Sequence, residues 1–135
     1  MEIKDILIDN DYSIYASNGY YSKDNGIKPV LFRINENKFF FEGLEVVDKI
    51  IGKASAMLLT YSKVKKVHAL VLSEAGKQIF EEYNIEYSYD ELVPYIINRK
   101  GDGMCPMEIT VKDINDLEKA YIALNDKVKE LNNDK

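Results

Sequence analysis

One segment concentrates the side chains able to do chemistry: Asn98-Arg99-Lys100-Gly101-Asp102-Gly103-Met104-Cys105-Pro106-Met107-Glu108. Gly101 and Gly103, one residue apart, permit backbone conformations and close approaches that side chains forbid. Pro106 suits the first position of a helix, which places Cys105, the only cysteine of the chain, at the N-cap. Unpaired N–H groups and the positive end of the dipole at a helix start favour a thiolate. Cys105 is therefore read as a candidate nucleophilic or redox-sensitive thiolate. Arg99 and the backbone from Pro106 to Glu108 would stabilise its charge, and Asp102 or Glu108 would shape the loop. Against this stands a packing reading, because free cysteine is among the most buried residue types. Gly101 and Gly103 can then form a plain turn, with Arg99 paired to Asp102 or Glu108 as a surface ion pair worth little.

Two further segments offer helix starts. In Asp48-Lys49-Ile50-Ile51-Gly52-Lys53-Ala54, the glycine lets a ligand or another backbone approach the first turns of a helix, giving anion affinity or tight helix-sheet packing. It is not a phosphate-binding P-loop, since the glycine spacing is wrong and no Ser or Thr follows Lys53. Ser73-Glu74 reads as the carboxyl end of a strand turning into a capped helix, where alternating sheets place their sites. Asp48, Lys49, Gly52, Lys53, Ser73 and Glu74, with Asn98, Gly101, Gly103, Pro106 and Met107, thus form a candidate pocket for a small anionic or nucleotide-like ligand, bound without turnover.

Metal and triad chemistry find little support. A tightly held zinc needs three or four ligands, and the chain has one Cys and one His. His68 falls in the middle of an expected core strand, away from Cys105, so no metal, cofactor or catalytic triad is expected. Tyr20-Tyr21 and Phe39-Phe40-Phe41 read as core or hairpin packing.

The elements that must position these residues follow from spacing and punctuation. Ile3, Ile6 and Leu7 share a helical face, and Tyr12 to Ala16 and Tyr20 to Ser22 form a hairpin about Asn18-Gly19. Pro29 opens a short helix through Val30 to Ile34. Val47, Ile50, Ile51, Ala54, Met57, Leu58 and Tyr61 recur at three- and four-residue steps, predicting one long helix capped by Asp48. Val67 to Leu72 reads as a strand buried on both faces, and Ser73 caps a helix over Glu74 to Tyr83. Ile85 to Tyr89 and Val93 to Ile97 are extended candidates, the second demoted by Pro94. Pro106 starts a helix to about Lys112, and Asp116 starts the last helix, through Leu131, before a frayed tail at 132–135. A hairpin followed by strand-helix alternation predicts an α/β fold, a three-layer α/β/α sandwich with a mixed sheet.

The 135 residues suit one domain, and a hydrophobic content of 46% encloses one core. A net charge of -5 argues against a nucleic acid polymer as partner. No apolar run approaches the roughly 20 residues needed to cross a bilayer, so no membrane is expected. A lone cysteine and an amino terminus without signal-peptide character predict a cytoplasmic protein. Exposed aromatics leave a homodimer contact open as a further partner.

On Gly26-Ile27-x-Pro29, on Asp48-Lys49-x-x-Gly52-Lys53-Ala54, and above all on Val93-Pro94-Tyr95-Ile96-Ile97-Asn98-Arg99-x-Gly101-Asp102-Gly103-Met104-Cys105-Pro106-Met107-Glu108, the chain resembles a prokaryotic family known as domain of unknown function 1893. The resemblance runs from about Tyr12 to about Leu124 and implies a cytidine-deaminase-like fold. Zinc deaminases of that fold carry His-x-Glu at the start of one helix and Pro-Cys-x-x-Cys at the start of the next. Here those places hold Gly52-Lys53-Ala54 and Ser73-Glu74-Ala75-Gly76, with Ile79 where a second cysteine would stand. Without ligands or the general-acid glutamate, zinc-dependent deamination lacks its activated water and proton carrier. The resemblance then implies a zinc-free pocket near the two helix starts, with Cys105 as a candidate redox or nucleophilic residue.

Overall fold

Local punctuation sets most of the element boundaries in the structure, a computed structural model that describes residues 2–98 and 100–133. α1 (Ile3–Asp9) leads into β1 (Ile14–Ala16) and β2 (Tyr21–Ser22), which pair antiparallel. Gly19 takes φ +94° in their turn, a left-handed conformation open to glycine, and the Tyr20 N–H donates to Asn18 Oδ1 at 3.0 Å. α2 (Lys28–Glu36) carries Pro29 in its first turn, where a missing N–H costs nothing.

The next segment departs from the expected long helix. Glu45–Ile51 is strand β3, Gly52 turns the chain, and helix α3 runs only over Lys53–Tyr61. Val46, Val47, Ile50 and Ile51 are β-branched; the first two lie between β1 and the next strand and all four pair with that next strand, so sheet pairing overrides an apolar spacing that either period can explain over so few residues. Asp48 is consequently a buried strand residue and not a helix cap.

Alternation then proceeds as expected through β4 (Lys66–Ser73), α4 (Glu74–Glu82) and β5 (Glu86–Val93). The two extended pieces foreseen at Ile85–Tyr89 and Val93–Ile97 are one strand that stops before Pro94, and Ile97 makes only an isolated bridge to Met104. α5 (Pro106–Val111) and α6 (Leu117–Asn133) complete the chain, the latter capped by Asp116 Oδ1 accepting from the Lys119 N–H at 2.8 Å. α6 passes the expected end at Leu131, and Asp134 and Lys135 of the foreseen frayed tail lie outside the described residues.

The sheet has the order β2-β1-β3-β4-β5; β1 is antiparallel to both neighbours, while β3, β4 and β5 are parallel. This is a mixed five-stranded α/β fold. Its main core joins Ile14, Val46, Val67 and Ala69 from the sheet to Leu31, Leu58, Phe80 and Leu124 from the helices. Leu7 and Val47 are fully buried but stand apart from that cluster, so α1 covers part of the opposite face. β4 is therefore not buried on both sides: in the register His68 lies beside Val47, on the face that α1 covers only partly, and is half-buried. No helix among the described residues is long and apolar enough to cross a membrane.

Candidate functional site

Parallel β3, β4 and β5 end on one side of the sheet, where α3 and α4 begin, and ligands of such sheets bind beyond those carboxyl ends. A cleft of about 230 Å³ opens there. Its wall includes Lys53 from α3, Ser73 from β4, Gln78 and Glu82 from α4, Tyr95 and Met104 from the segment after β5, and Glu108 and Lys112 from the α5 region.

The floor is an internal lock. The N–H groups of Lys53 and Ala54, the first of α3, donate to Glu108 Oε1 at 2.7 Å and Oε2 at 2.8 Å. Gly52 makes this possible, since any Cβ there would overlap the Glu108 carboxylate. The first turn of α4 packs against the same spot: a Cβ on Gly76 would lie 3.1 Å from the Gly52 carbonyl carbon. Ser73 Oγ caps α4 by accepting from the Gly76 N–H at 3.0 Å. Glu108 is 8% exposed, and burial pushes its carboxyl above the ordinary range against the opposing pull of the Ala54 and Lys53 amides and the Lys53 charge. The amides that the sequence offered to a ligand anion at Gly52-Lys53 are therefore held by the chain's own carboxylate. Lys53 Nζ turns aside to donate to the Lys112 carbonyl at 3.0 Å.

Of the residues singled out in the sequence, Lys53, Ser73 and Glu108 meet at this cleft. Asp48 and Lys49 do not. Asp48 sits in β3 between Ile14 and Ala69 in the register, and burial pushes its pKa up to about 7 although Oδ1 accepts from the Ile50 N–H at 3.1 Å. Lys49 Nζ pairs with Asp11 at 2.7 Å. Glu74 is exposed in the first turn of α4 and is not on the wall.

The glycine-rich loop is tied to itself. Asn98 donates from its N–H to the Gly103 carbonyl at 2.8 Å and from Nδ2 to Asp102 Oδ1 at 2.8 Å. Asp102 thus shapes the loop through Asn98, Gly101 takes φ +75°, and Arg99 lies outside the described residues. Cys105 is the N-cap of α5 as expected; its thiol is free, half-buried and makes no capping bond. The support expected from the backbone that follows is small: Pro106 has no N–H, the Glu108 N–H donates to the Cys105 carbonyl at 2.9 Å, and Met107 packs toward the core. Met104, not Cys105, reaches the cleft wall.

Two sets of residues escaped the sequence reading. Lys112, Gln78 and Glu82 are one such set: Lys112 follows the marked Glu108 by four and Gln78 precedes Glu82 by four, a helical signal that each pair shares a face, but nothing local joins the two helices. The other set surrounds His68, which was assigned to the core. Its Nδ1 lies 2.6 Å from Ser88 Oγ and its Nε2 3.1 Å from Asp90 Oδ1, and Lys4 of α1 pairs with the same carboxylate at 2.9 Å. These groups stand on the open sheet face and line neither the cleft nor a second hollow beside α2.

The family model described as TM1506, domain of unknown function (DUF1893), matches residues 2–128. The chain is also similar to the crystal structure of a DUF1893 family protein (TM1506) from Thermotoga maritima, with 33% identity over 93% of this chain and 86% of that chain and a TM-score of 0.84. No curated protein matches. Since the family model and the similar structure both span nearly the whole length, this chain belongs to the DUF1893 family.

Proposed function

We propose that the domain is a non-catalytic binding module on a cytidine-deaminase-like scaffold, holding a small anionic or nucleotide-like ligand in the cleft at the starts of α3 and α4, in the cytoplasm. The observation that carries this reading is the cleft wall, on which Lys53 and Lys112 stand beside Gln78 and Tyr95. The Glu108 charge is already met by two α3 amides, so it offsets these cations weakly. Glu82 on the same wall favours a ligand that carries a hydrogen-bond donor besides its anionic group. A volume of about 230 Å³ lies below the roughly 300–1,000 Å³ of drug-sized sites, which selects a small metabolite. The deaminase-like reading is supported by the β2-β1-β3-β4-β5 order and by α3 and α4 starting side by side.

A thermal-shift screen of nucleotides, nucleosides and phosphorylated metabolites tests the reading. A true ligand at a hundredfold over its dissociation constant stabilises by about 2.7 kcal/mol. The shift should survive Cys105→Ser and disappear in Lys112→Gln. Silence across the screen, or a shift untouched by Lys112→Gln, rejects it.

A second reading keeps Cys105 as a reactive or redox-sensitive thiol, favoured by a free, part-exposed sulfur at the entry of α5. It requires native Cys105 to react with iodoacetamide at neutral pH faster than the same residue in urea. Equal or slower alkylation in the native protein removes its basis.

A further inference from the structure

A second hollow, of about 530 Å³, lies at the β2 edge of the sheet and shares no residue with the cleft. It is an open hollow bordered by β2, the turn after it and one stripe of α2. Lys28, Pro29, Phe32 and Arg33, spaced so that they fall on one side of that helix, all line it. One large aromatic surface is left in water there: Phe32 is 45% exposed, whereas the Tyr21 ring, paired with Tyr15 in the register, projects from the opposite face of the sheet.

The walls are held in place before any ligand arrives. Tyr20 donates its hydroxyl to the Pro29 carbonyl at 2.9 Å and so ties the β2 end to α2. The Arg33 guanidinium stands 5.5 Å from the Tyr20 ring centre. Its ion pair to Glu36 at 3.4 Å joins two exposed side chains and is a weak competitor for an incoming anion. Lys28 adds a second cation, and Asp24 is the carboxylate on the lining itself. An exposed ring beside an Arg-Lys pair matches a ligand with a flat π face at one end and a phosphate at the other, because aromatic stacking and guanidinium-phosphate bonding are satisfied together.

We propose that this hollow binds a small aromatic phosphomonoester of the nucleoside monophosphate class, its ring against Phe32 and its phosphate between Lys28 and Arg33. The volume falls within the roughly 300–1,000 Å³ of small-molecule sites. The net charge of -5 favours a free mononucleotide over a polymer.

Titration calorimetry and amide NMR on the full chain test this, with adenosine 5′-monophosphate, adenosine and ribose 5-phosphate as probes. The monophosphate should bind saturably, and each half-ligand more weakly by about tenfold or more. Phe32→Ser, at an exposed position, should weaken it by about fivefold or more with the melting temperature unchanged, and Arg33→Gln, at a half-buried one, should weaken it by as much with the chain still folded. Lys112→Gln, on the other cleft, should leave it unchanged, which separates this site from the function proposed above. Amide shifts in the unaltered chain should centre on residues 20–33. The proposal is overturned by absence of saturable binding up to millimolar monophosphate, by equal affinity for ribose 5-phosphate, or by amide shifts that centre elsewhere.

Discussion

Replacing Gly52 by alanine adds one methyl group and should unseat Glu108. Backbone conformation is not the obstacle, since Gly52 has φ -104° and ψ -168°, an extended geometry open to alanine. The obstacle is space: the new Cβ overlaps a carboxylate that accepts from Lys53 and Ala54 at 2.7 and 2.8 Å. Two bonds to an ionised group are at stake, each worth about 1.5–3 kcal/mol, and the swung-out carboxylate recovers some solvation. A net loss of about 3 kcal/mol follows, or roughly 10 °C in melting temperature for a domain of this size. Urea unfolding of the parent, Gly52→Ala, Glu108→Ala and the double variant measures it. Each single change should cost about 3 kcal/mol, and the double variant should be no worse than Glu108→Ala, because the methyl group then enters vacated space. Additive losses, or a Gly52→Ala cost within about 0.5 kcal/mol, would refute the lock.

Two other perturbations have signs set by the structure. The Asp48 carboxyl is raised from 3.8 to about 7 by burial, so its proton is held more tightly in the folded chain; the stability it lends is full below about pH 4 and is lost as pH rises through about 7. The loss amounts to about 4 kcal/mol, and Asp48→Asn, which keeps an acceptor for the Ile50 N–H, should be more stable than the parent above neutrality and lose that advantage in acid. Equal pH profiles in thermal melts would contradict the burial argument. Ser73→Ala removes the α4 cap at a cost of about 1 kcal/mol, read from the urea midpoint; an unchanged midpoint would mean that the Gly76 N–H finds another acceptor.

Much of the fold was legible where a signal is local. Pro29 and Pro106 lie in first helical turns, Ser73 and Asp116 cap their helices, and Asn18-Gly19 turns the hairpin, each through contacts within about one turn of chain. The β3–α3 boundary was illegible because Val47 to Ile51 satisfies both the strand and helix periods, and Asp48 before an apolar run imitates a cap. His68 looked like a core residue within an apolar run, yet one-sided cover of the sheet leaves it bonded to Ser88 on the neighbouring strand. At the candidate site, Lys53, Ser73 and Glu108 came from three separate segments marked as helix starts. Lys112, Tyr95 and Gln78 carried no comparable mark.

By itself the order of amino acids determined the local stops and starts, the apolar strips and the presence of one sulfur at a helix entry, since each depends on neighbours a few residues away. Tertiary structure alone decided that Glu108 seals the start of a helix 54 and 55 residues earlier in the chain, leaving a cleft beside it and the thiol off its wall. No short-range rule can encode that choice, because the glycine that makes room and the carboxylate that fills it become neighbours only when two helices pack against the ends of the same strands.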